Sequence, residues 1–139
     1  MTLRASLVEA IAAWLEQGYP GPVTVSHETD TTELLPPYAV VRISSAEPLA
    51  PMELIWDLTA LIAVSHDADA TPATTAEERA NELFAKMEGE DNLADFIAFC
   101  EEKGLAISTM FPLESNLTVA DGHWVHILGV RLIAALSEV

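Results

Sequence analysis

From Met52 to Asp67 apolar and polar side chains alternate with a period of two. Leu54, Trp56, Leu58, Ala60, Ile62 and Val64 fall on one face, and Ile55, Asp57, Thr59, Leu61, Ala63 and Ser65 on the other. A run this long predicts an antiparallel strand with one dry face and one wetter face. The dry face requires a cover, and three stretches with apolar residues spaced three and four apart supply it. Leu3, Leu7, Ile11, Trp14 and Leu15 form a stripe within Thr2 to Gln17, which Thr2 caps and Gly18 with Pro20 ends. Ala80, Leu83, Phe84 and Met87 form a second stripe behind a capping box, Thr75-Ala-Glu-Glu78. Leu93, Phe96, Ile97 and Cys100 form a third, where Asn92 and Asp95 repeat the capping pattern and Gly104 stops the helix. Glu88-Gly-Glu-Asp91 separates the last two stripes, which read equally as two helices or as one bent element.

The remaining extended runs complete a sheet. Pro22 to His27 predicts a short strand, and Tyr38 to Ala46 a second one leading toward the central run. Glu28 to Pro37 is a polar, acidic loop closed by two prolines: a contact arm, or a plain solvated connection. In Glu47 to Pro51 the prolines at 48 and 51 are expected to interrupt regular pairing and to make a projecting loop with Leu49 near its tip. Pro48, Leu49 and Pro51 are therefore the partner-contact candidates, although single exposed apolar residues are ordinary on any surface. Leu105 to Met110 predicts a fourth strand, Pro112 a loop over Phe111 to Asn116, and pairing is expected to resume at Leu117 to Val119. Asp121-Gly122 is a tight-turn dipeptide before the last strand, His123 to Leu136, where Gly129 relieves crowding or marks a bulge. The order α-β-β-β-α(α)-β-β implies a single α+β domain over residues 1–139. Its mostly antiparallel sheet is covered on one face by helices, and loops project near 28–37 and 47–51.

Charge narrows the partners. The chain carries 22 acidic against 6 Lys and Arg residues, a formal net charge of −16. Such a field repels nucleic acid and anionic lipid, but it suits a channel to which DNA does not adhere, or a dock for a basic protein. No apolar run is long enough for a membrane span, and Arg4, Ser6, Glu9 and Glu16 break any leader-like apolar core, so a soluble, cytoplasmic product of synthesis is expected.

Candidate chemistry is sparse. His123 and His126, three apart on a strand, point to opposite faces and do not share a metal. His27 and His66 close their strands and read as edge or turn residues. Cys100 sits among Phe96, Ile97 and Phe99 with no nearby cation in sequence, so a buried inert thiol outweighs a nucleophile. Trp14 reads as a core anchor, and Glu77, Glu78, Glu82, Glu101 and Glu102 as wet helix faces. No phosphate-binding loop, nucleophile elbow or zinc-protease motif is present, so no enzyme, cofactor or catalytic residue is assigned.

Four segments together resemble the tail terminator and related tail-completion (neck) proteins of long-tailed phages. They are the helix LRASLVEAIAAWLEQ, the strands YAVVRISSA and ELIWDLTALIAVSH joined by EPLAP, the helix TTAEERANELFAKM, and the closing strand WVHILGVRLIAAL. The resemblance covers most of the chain and is one of element order and texture. The stretch Asn92 to Lys103 departs from it as an additional helix and points equally to a neighbouring neck protein. The resemblance implies a structural virion protein without catalytic residues. Its subunits would form a ring, usually a hexamer, that caps the tail tube and joins it to the head and neck. The implied partners are the tail-tube protein and a neck or connector protein, with DNA only passing through the lumen. Long strands of such a subunit could continue a sheet between neighbours by edge pairing. The competing expectation is an acidic inhibitor or immunity-type protein steered onto a basic partner by its charge. A metal-dependent hydrolase using His123 or His126 ranks last.

Overall fold

The long alternating run forms the middle of the sheet. The computed structural model describes residues 3–17, 23–25, 38–49, 55–120 and 122–136. In chain order these form α1 (Leu3–Glu16), β1 (Val23–Val25), β2 (Tyr38–Pro48), β3 (Trp56–Asp67) and α2 (Ala73–Phe84). A 3-10 turn (Ala85–Met87) follows, then α3 (Glu90–Glu101), β4 (Leu105–Ala120) and β5 (His123–Leu136). The strands lie in the order β1-β2-β3-β5-β4, with β1 parallel to β2 and all other neighbours antiparallel. This is the α+β architecture that the alternation and the three stripes imply, with β1 and β4 as its edges. No helix among the described residues is long and apolar enough to cross a membrane.

One face of the sheet supplies the core. Leu58, Ala60, Ile62 and Val64 of β3 and Leu128, Val130, Leu132 and Ala134 of β5 are buried beneath the helices. Leu7, Ile11 and Leu15 of α1, Leu83 and Met87, and Phe96 and Cys100 of α3 meet them from above. Each large apolar side chain enclosed this way stabilises the fold by about 1.5–3 kcal/mol relative to exposure. α1 lies over β1 and β2 and reaches α3, α3 packs on β4, and α2 reaches β5. Trp14 ties the layer together: its indole N–H donates to the Lys86 carbonyl at 3.0 Å, and its ring meets Phe96 and Phe99 edge-on or tilted.

Several local expectations are corrected. Both capping boxes fail. α2 begins two residues before Thr75, after an extended Pro72, with no side-chain cap, and Ala76 N–H donates to the Pro72 carbonyl. α3 begins after Gly89, whose φ of 88° makes the sharp break, and the Asn92 amide instead donates to the carbonyls of Ala85 and Glu88. Those two carbonyls end the preceding turn, so Asn92 secures the junction rather than a helix start, and the stripes belong to two helices. Neither proline stops its strand. Pro48 lies in the ladder opposite Trp56, and Pro112 opposite Val130. β1 flanks β2 only at residues 39–41, and β4 is an edge strand, so both prolines have a side on which no ladder donor is required. β4 is thus one continuous strand whose register shifts at 107/109 and 112/115 absorb the irregular sequence.

Candidate functional site

Two regions of the surface break the rule that large apolar side chains are covered. The first is the end of the sheet where β2 meets β3. Leu49 N–H donates to the Ile55 carbonyl at 2.7 Å and closes the base of the connection. Leu49 is 53% exposed and Ile55 is also exposed, so two of the candidate contact residues, Pro48 and Leu49, lie at an apolar rim; Pro51 and the loop 28–37 lie outside the described residues. Beside this rim opens a pocket of about 440 Å³ lined by Leu3, Arg4, Ala46, Trp56, Leu58 and Leu136. It forms because the start of α1, the end of β2, the start of β3 and the end of β5 converge there. Among the described residues Arg4 is its only charged lining residue.

The second region is the far half of β4. In the near half, Leu105, Ile107 and Met110 are buried under α3. Past the second register shift the helical cover is lost: Leu117 is 43% and Val119 61% exposed, although their partners across the ladder, His126 and Trp124, lie on the covered face. The result is an apolar ledge beside the helical layer. Phe111 and Leu113 are exposed on the other face of the sheet, where Phe111 pairs with Arg131 and Leu113 lies 3.5 Å from the position a side chain at Gly129 would take. That spacing is ordinary contact, so a methyl group would fit at Gly129, which neither relieves crowding nor marks a bulge in β5.

Neither a family model nor a curated protein matches this chain.

The remaining face of the sheet is of mixed character. Arg131 donates through Nε to the Asp57 carboxylate at 3.0 Å, and this hydrogen bond, with the charge behind it, holds Asp57 below its usual range. Ser65 is buried, and the His123 and Tyr38 rings meet at 6.5 Å between centroids. His123 and His126 do point to opposite sides. His66, expected at an edge or turn, is instead 1% exposed on the core side of β3. Its neighbour on that side is His126, 5% exposed, because β3 continues to Asp67 and pairs to its end with β5. Burial lowers the pKa of both, helped at His66 by Arg79 and His126 and opposed at His126 by Glu77. Among the described residues no three His, Cys, Asp or Glu side chains are placed to hold a metal ion. Burial pushes the Cys100 thiol up to about 12, which leaves it no thiolate at neutral pH.

The sequence reading missed the ledge and the pocket. Pro112 pointed to a loop over Phe111 to Asn116, most of which is paired, while the pairing expected at Leu117 to Val119 is present; that the helices leave this end of the strand uncovered has no local signal. The pocket had none either, since Leu3, Ala46 and Leu136 come from the start, middle and end of the chain.

Proposed function

We propose that this chain is a structural ring subunit resembling a phage tail terminator or neck protein, working through contacts between subunits and with a tube end. The observation that carries this reading is the distribution of exposed apolar residues. Among the described residues seven large ones are exposed: Leu49, Ile55 and Leu136 at one end of the sheet, Leu117 and Val119 at the far end of β4, and Phe111 and Leu113 between them on the other face. A closed ring requires two different patches per subunit, one for each neighbour. Residues 105–136 carry only three charged residues, Glu114, Asp121 and Arg131, whereas residues 73–103 carry nine acidic and three basic ones. A charge-poor surface suits contact between copies that each bear −16, and an acidic helical layer suits a lumen through which DNA passes without adhering.

The test is the native mass of the purified protein, followed by negative-stain microscopy. A discrete ring of several subunits, or capping of isolated tail-tube ends, is the expected result. A monomer that binds no tube end overturns the proposal. The acidic helical layer also favours a second reading, an inhibitor of a basic protein. That reading predicts affinity for a basic partner that falls steeply with salt, whereas the apolar ring contact holds as salt rises.

A further inference from the structure

The pocket rim and the Leu117–Val119 ledge lie at opposite ends of the sheet. Leu105 pairs with Leu136, so the start of β4 is at the pocket end. Leu117 is twelve residues further along β4, on the order of 35 Å away at the rise of a strand. A contact that uses the ledge on one copy and the pocket on the next is therefore heterologous: it leaves both unused patches free for further copies, and a rotation between successive copies closes it into a ring. A contact between like patches would bury one and end at a dimer.

The edge of β4 is poorly suited to extending the sheet itself. Its ladder shifts register twice, and Pro112 lacks a donor, so an added strand meets an interrupted template. Recognition then falls to side chains. The ledge offers Leu117 and Val119, both branched and apolar, and the pocket offers Leu3, Trp56, Leu58 and Leu136 with space for about 440 Å³. Electrostatics selects the occupant. Across sixteen residues β4 has a single charge, the acidic Glu114, and among the described residues the single charge lining the pocket is the basic Arg4. A strand of this composition can approach the pocket of another copy without bringing together the carboxylates that give each chain its charge of −16.

The geometry points to a head-to-tail contact in which the Leu117–Val119 ledge of one copy enters the Leu3–Trp56–Leu136 pocket of a second copy of this chain. This rests on the ring reading above and assigns its two faces. Leu117→Glu disables the ledge and Leu136→Glu the pocket rim; both positions are exposed, so the fold is retained, and circular dichroism checks that it is. If Leu117→Glu lowers the melting temperature, Val119→Asp replaces it. Each variant alone should sediment as a monomer. Mixed in equal amounts they should form a one-to-one dimer and nothing larger, because each supplies the patch the other lacks. A wild-type ring whose two variants fail to complement each other overturns the ledge-to-pocket assignment and leaves the ring reading standing. Loss of assembly in Leu117→Glu alone, with Leu136→Glu unaffected, overturns it in favour of a contact between like ledges. A wild-type chain that neither self-associates nor binds a tube end overturns both.

Discussion

His66 on β3 and His126 on β5 lie on the same side of the sheet, offset by two residues, with none of their four ring nitrogens hydrogen-bonded among the described residues. Across the ladder His66 pairs with Trp124, and the charged groups that act on the two imidazoles are Arg79 and Glu77 on α2. Two imidazoles in this position stay neutral in the folded chain. Charging either one would bury a cation, and charging both would place like charges together.

The sign of the pH dependence follows. Both folded-state values lie below the ordinary 6.5, so the unfolded chain binds protons first as pH falls. The stabilisation is complete above about pH 6.5 and is lost progressively below it, by at most about 1.4 kcal/mol per pH unit for each histidine. Urea unfolding at pH 7.5 and pH 5.5 measures it. His66→Leu and His126→Leu should each flatten the slope, without loss of stability at pH 7.5, because an apolar group replaces an unsatisfied polar one.

Trp14→Phe should retain the ring contacts with Phe96 and Phe99 but leave the Lys86 carbonyl without its donor. The expected cost is about 1 kcal/mol in denaturant unfolding. Trp14→Ala also opens a gap between α1 and α3 and should cost about 3 kcal/mol or more.

The Cys100 thiol, enclosed in the core and pushed up to about 12, should not react with a thiol-specific disulfide reagent in the native state. Its modification rate should follow unfolding of the chain. Rapid stoichiometric labelling at neutral pH would contradict this placement.

Leu49→Asp tests the hairpin rim. Leu49 is half in water, so the melting temperature should stay within a degree or two of wild type. In the proposed ring the same substitution should weaken assembly or tube capping several-fold, read by sedimentation and by counting capped tubes.

Much of the fold was legible because the signals are local and periodic. Leu58, Ala60, Ile62 and Val64 repeat every second residue, and Leu7, Ile11 and Leu15 every fourth, and all seven are buried as those periods require. The prolines were misleading for a non-local reason. Whether Pro48 or Pro112 interrupts a ladder depends on whether a strand lies on both sides, and strand order is not written in either residue's neighbourhood. The capping boxes misled similarly: Asn92 has the right spacing, but α3 already begins at Glu90, and the Asn92 amide nitrogen donates to the carbonyls of Ala85 and Glu88 in the preceding turn.

Taken alone, the amino-acid sequence determined the α+β class, the order of the long elements, the inward faces, the acidic field, and the inert surroundings of Cys100. Each of these depends on periodicity or composition, which survive without coordinates. Only the tertiary structure decided that β4 is an edge, that its far half lacks helical cover, that His66 and His126 are enclosed together, and that Leu3, Arg4, Trp56 and Leu136 share one pocket. Those facts depend on which distant segments pack side by side. Cooperative burial sets that arrangement over the whole chain, and no window of the sequence contains it.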